Sequence, residues 1–125
     1  MSDPSELNKA IKNHSVWKVR LKDAVDTGKS EFTPSQVRDN NICAFGIWLK
    51  SLPLSEKSLE EYKNISALHA EFHATAAKVL QLALAGHKDE AHNALTDIKG
   101  DFMWTSAKLT NALMDWKAKL SQPGR

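Results

Sequence analysis

Only one of the 125 residues is a cysteine, Cys43, so no intrachain disulfide can staple the fold. That thiol is a small buried hydrophobe, a reactive group or a metal ligand. Glycine and proline are scarce, at 5 and 4 residues, and serve as punctuation rather than as a repeat or a low-complexity tract. No stretch alternates apolar and polar residues between turn signals, so strands are not expected. The longest apolar run, Val79 to Ala85, is interrupted by Gln81 and is far too short to span a bilayer. The first residues, Met-Ser-Asp-Pro-Ser-Glu, are polar and carry no secretory signal, so the chain reads as soluble and cytoplasmic, with no membrane partner. Neither sign of charge dominates: 17 basic and 15 acidic side chains give a formal +2 without any block of like charge. A nucleic-acid partner is therefore not expected.

What remains is an ordinary globular composition, 42% hydrophobic and 26% charged, at a length that supports one core across residues 1–125. The pattern is helical throughout. Asp3-Pro4-Ser5-Glu6 has the form of a capping box, so helix 1 should begin near residue 4 and stop at Thr27-Gly28. Its apolar stripe is Leu7, Ala10, Ile11, His14, Trp17, Leu21, Ala24 and Val25. Thr33-Pro34-Ser35-Gln36 writes a second start, for a helix 2 that runs to about Ser51 and carries Cys43-Ala-Phe-Gly-Ile-Trp48. Gly46 would cost nearly 1 kcal/mol relative to Ala within a helix, which points to close packing there.

Helix 3 should start near Ser55 and continue to about Ala85, with Gly86 as its stop. Its stripe is Leu59, Tyr62, Ile65, His69, Phe72, His73, Ala76, Val79, Leu80 and Ala83. Helix 4, from about Lys88 to Leu120, repeats Ala91, Leu95, Ile98, Phe102, Thr105, Leu109, Ala112, Leu113, Trp116 and Leu120, with Gly100 as a point where it can bend. Trp17, Trp48, Trp104 and Trp116 all fall at core spacing. Four such helices joined by short loops predict an all-α, antiparallel four-helix bundle, up-down-up-down, with a shorter helix 2.

In His69-Ala-Glu-Phe-His73 the imidazoles lie four residues apart, so they leave one face of the helix one turn apart and can reach a single ion. This is not the His-Glu-x-x-His of zinc peptidases, because Glu71 points away from both histidines and cannot serve as a base on bound water. His14 and Cys43, each mid-helix and so at mid-bundle height, are the other candidate ligands, with His14 within roughly one to two turns of the level of His69 and His73 if helices 1 and 3 run parallel. Taken singly, each histidine also reads as a satisfied helix residue, and Cys43 as a packed thiol. Three histidines and the only cysteine on inward faces favour shared coordination, since unpaired buried imidazoles cost about 1–3 kcal/mol each. Three imidazoles and one thiolate close a tetrahedron around zinc and leave no position for substrate water, so the site reads as structural or regulatory and the chain as no enzyme. His87 and His92 read as solvated.

Two other classes compete. A non-haem iron bundle of the hemerythrin type would need inward carboxylates such as Glu-x-x-His pairs, which the stripes lack. A metal-free structural or partner-binding bundle remains open.

At His14-Ser-Val-Trp17, Cys43-Ala-Phe-Gly-Ile-Trp48-Leu and His69-Ala-Glu-Phe-His73 the chain resembles the chemoreceptor zinc-binding domain, a bacterial module of soluble chemoreceptors and diguanylate cyclases. The three motifs occur in that family's order and approximate spacing and cover helices 1 to 3. The resemblance implies zinc at His14, Cys43, His69 and His73, a bundle that pairs as a homodimer, and a signalling output partner in chemotaxis or cyclic-di-GMP signalling. Zinc occupancy, or oxidation of the cysteine ligand, would modulate helix packing.

Overall fold

The computed structural model describes residues 4–39 and 44–121. Cys43 and the expected N-cap Asp3 lie outside the described residues. Among the described residues every regular element is helical: α1 (Pro4–Thr27), α2 (Pro34–Arg38), α3 (Ala44–Ser51), α4 (Leu54–Lys57), α5 (Glu60–Leu84), α6 (Lys88–Thr96) and α7 (Asp101–Ser121). None of them is long and apolar enough to cross a membrane.

Helix 1 ends where the sequence says it should, with Gly28 at φ 73°, and α5 runs into Gly86 at φ 86°. These left-handed conformations let the chain turn out of each helix without a Cβ clash. The Thr33 box also forms: the Thr33 hydroxyl accepts from the Gln36 amide at 3.2 Å, and the Gln36 side chain accepts from the Thr33 amide at 2.9 Å.

Other boundaries differ from the sequence reading. The helix expected from Ser55 is preceded by the one-turn α4, and its long run starts only at Glu60. The helix expected over Lys88 to Leu120 is two helices. Asp97 breaks it, because its carboxylate accepts from the Lys99 amide at 2.9 Å and its carbonyl from the Gly100 amide at 2.9 Å. That local turn competes with helix continuation. Ile98 falls in the break and is 77% exposed.

The three long helices α1, α5 and α7 contact one another in every pairing, and α2 and α6 both pack on α5. Near the end of α7, Lys119 pairs with Glu61 at the start of α5 (3.4 Å), whereas Phe102 at the start of α7 packs on Phe72 further along α5 (ring centroids 5.5 Å). Those two helices therefore run antiparallel. Lys18 and Lys22, in the second half of α1, line a pocket with Leu95, Thr96 and Met103, so that half of α1 lies beside the α6–α7 junction.

The core collects the expected stripes: Leu7, Ala10, Leu21 and Ala24 from α1, Ile65, Phe72, Ala76 and Leu80 from α5, and Phe102, Leu109, Leu113 and Trp116 from α7, all buried. Gly46 is buried on α3, as its presence in a helix suggested. Trp17 and Trp48 are partly buried against the core. Trp104 corrects the sequence expectation, being 58% exposed. It lies two positions after buried Phe102, about 200° round the helix, and Lys108 one turn on covers its ring at 4.7 Å.

Candidate metal centre

Burial on α1 recurs at Leu7, Ala10, His14, Leu21 and Ala24, so the helical period that builds the core also turns His14 inward. On α5 the same logic acts on Ile65, His69, Phe72, His73 and Ala76. The outcome is three buried imidazoles on two helices, each no more than 4% exposed.

Their ligand nitrogens all lie within 4.8 Å of one another. The His14 ring centroid is 5.0 Å from that of His69 and 5.7 Å from that of His73, and the two α5 rings are 4.6 Å apart. Phe72 and Phe45 wall the cluster, at 5.0 and 5.8 Å from His14. His87, His92 and Glu71 are exposed, as expected for residues outside the site.

His73 is held by a bond that no side-chain pattern announces. Its Nδ1–H donates to the Val37 carbonyl at 2.8 Å. A carbonyl only accepts, so the neutral ring carries its proton on Nδ1 and presents a bare lone pair at Nε2. That nitrogen faces His69 Nε2 at 3.1 Å. Two imidazole nitrogens sharing a tetrahedral zinc at about 2.0–2.1 Å would be roughly 3.3 Å apart, so the α5 pair is already near ligand spacing. Neutral imidazoles with one ring orientated by a backbone carbonyl are the donor set that zinc takes.

The electrostatics agree. Burial pushes His14 down from the usual 6.5 to about 4, helped by the nearby charge of His73 and opposed by a hydrogen bond to the Ala10 backbone. Burial, then the neighbouring His14 and His73, push His69 down to about 3. Burial lowers His73 too, against the Val37 bond and the Asp39 carboxylate, which act the other way. All three rings are therefore neutral at pH 7, the form that binds a metal.

Each ring binds a proton more readily in the unfolded chain, so its contribution to stability is complete above about pH 6.5 and is lost as pH falls toward the folded values. The metal-free protein should therefore weaken between pH 7 and pH 5, by on the order of 2 kcal/mol at pH 5 for each of His14 and His69, with His73 acting in the same direction. Urea denaturation of chelated protein at the two pH values measures this. Equal midpoints would contradict a buried neutral cluster.

A cavity of about 420 Å³ opens against His73, lined among others by Val37, Asp39 and Ala44. Asp39 and Ala44 are the described residues on either side of 40–43, and both line this cavity together with His73. The three histidines singled out in the sequence are thus brought together, while Cys43 lies outside the described residues. Val37 was missed: its contribution is a carbonyl, which every residue has, and only the position of α2 makes it relevant.

No curated protein and no solved structure matches the chain. Residues 14–80, more than half of the chain, match the family model described as the chemoreceptor zinc-binding domain. That match opens on His14 and encloses Cys43, His69 and His73. With a buried three-histidine cluster able to hold a metal ion inside the matched segment, the chain belongs to the chemoreceptor zinc-binding domain family.

Proposed function

We propose that the chain holds one zinc ion through His14, His69, His73 and Cys43 and acts as a non-catalytic sensory module. The observation that carries this reading is the convergence of three buried imidazole donors within 4.8 Å of one another, inside the family segment. Support for Cys43 as fourth ligand comes from its neighbour Ala44, which lines the same cavity as His73. A thiolate completing the set leaves no position for substrate water. The group brought together among the described residues contains histidines and no carboxylate, which favours zinc over a carboxylate-bridged iron pair.

Zinc would tie α1 and α5 to the segment before α3, and such ties are coupled to folding, with apparent energies on the order of 10 kcal/mol or more. Occupancy is then a strong input to packing. Cys43 provides a second: a peroxide would pass one oxygen atom to the thiolate, two electrons moving from sulfur as the O–O bond breaks and water leaves, and the sulfenate is a poorer ligand. In this reading residues 1–125 form one unit. The fold is an antiparallel four-helix bundle in which α2 and α3 make the short second arm, α5 the third, and α6 with α7 the fourth. The module works in the cytoplasm as a homodimer that passes its state to a signalling output partner, in chemotaxis or in cyclic-di-GMP signalling.

Elemental analysis of the purified chain tests the core of this. About one zinc per chain is expected; two irons, or no metal, would overturn it. Mild peroxide should release zinc from the wild type while Cys43→Ser, which binds more weakly, shows no further oxidant-dependent loss. Full retention by an oxidised wild type would remove the redox input.

A further inference from the structure

Helix α2 is five residues long, too short to persist by itself in water. It is secured at one end by the reciprocal Thr33–Gln36 box and by Pro34 in the first turn, and along its inner side by Val37, which is 2% exposed. At its other end the tie is the Val37 carbonyl, which accepts from His73 Nδ1 at 2.8 Å. Carbonyls in the last turn of a helix lack intrahelical partners, so a buried imidazole N–H is a fitting donor for one. The same bond selects the His73 tautomer that leaves Nε2 bare toward His69.

We propose that α2 is the positioning element of the metal centre, with the Val37 carbonyl orienting His73 and the Thr33–Gln36 box holding that carbonyl in place. This rests on the reading that the histidine cluster holds zinc. Neither Thr33 nor Gln36 belongs to the cluster, and both are exposed. They act through Val37. An imidazole that gives its Nε2 lone pair to a cation becomes a stronger donor at Nδ1, so the tie between α5 and α2 tightens when the site is filled. Retention of the ion is then set from the segment linking α1 to α2, and α2 is the exposed element that changes with occupancy.

The test is chelator competition on the full zinc-loaded chain, beside ring-nitrogen NMR of the metal-free form. Thr33→Ala combined with Gln36→Ala should lower zinc affinity by about fivefold to tenfold, at or below the low end of the range for a direct outer partner of a metal-bound histidine, because both act through the Val37 carbonyl. The hydrogen-bonded His73 Nδ1 proton should broaden or exchange faster. Thr33→Ser, which keeps a capping hydroxyl, should stay within about twofold of the wild type. Thr96→Ala is the control: its hydroxyl makes an exposed bond to the His92 carbonyl within α6, and removing it should leave affinity unchanged. Should the double variant not fold, Gln36→Ala alone keeps half the box and should show a smaller loss in the same direction. Zinc held by the capping variants within twofold of wild type, with an unaltered His73 proton, overturns the positioning role alone. A wild type that takes up no zinc overturns the metal reading, and this inference with it.

Discussion

Replacing His69 with alanine is expected to reduce zinc from about one ion per chain to nearly none, and to abolish the rise in melting temperature expected on adding zinc to the wild type. His69 is 2% exposed and its ring packs edge-on against those of both His14 and His73, so no solvent-side group can take its place. Removing one of the four proposed ligands would leave a tetrahedral ion with an open side and forfeit much of a binding energy on the order of 10 kcal/mol or more. An affinity loss of at least about a hundredfold follows, since each 1.4 kcal/mol is about tenfold. The metal-free variant behaves differently, because deleting a buried imidazole there also removes a group that desolvation disfavours in its charged form. The variant and wild type should therefore diverge far more with zinc than after chelation. Calorimetric melting in both conditions, with metal content by elemental analysis, measures this. Zinc retained in full by His69→Ala, or an equal shift on zinc addition, would contradict the assignment.

Phe72→Ala should destabilise the chain by about 3–5 kcal/mol, the range for deleting a fully buried phenyl ring. Its ring is fully buried and touches three partners on three helices: His14 on α1 at 5.0 Å, His73 on its own helix at 5.7 Å and Phe102 on α7 at 5.5 Å. The cavity left behind would adjoin two of the candidate ligands. Against a total stability of about 5–15 kcal/mol this is a large fraction, and a fall in melting temperature of roughly 10 °C or more is expected. Phe72→Leu, which refills most of the volume, should cost much less. Zinc affinity should fall with the alanine variant too, since His14 and His73 lose a shared wall. Chemical denaturation of the metal-free chain isolates the packing part. A loss below about 1 kcal/mol would mean that Phe72 does not join the three helices.

Much of this was legible in the residues because it is local. His69 and His73 share a face because four residues make one turn of any helix. The Thr33–Gln36 box closes within a stretch of four residues, and Gly28 and Gly86 stop their helices through their own backbone freedom. The stripes of α1, α5 and α7 repeat over short windows, so most of the core was legible as well. Where local signals competed, the pattern misled: the apolar period runs straight across Asp97, but the carboxylate of Asp97 turns the chain there and leaves Ile98 in solvent.

Helical character, the inward histidines and the family were determined by the sequence alone. Only the tertiary structure decided that His14 meets a pair lying far along the chain, that Trp104 looks outward, and that the carbonyl of Val37 orients His73. Periodicity says which side of a helix is buried but not what it is buried against. Backbone groups carry no residue identity, so a contact made by a carbonyl exists only once the helices have been placed.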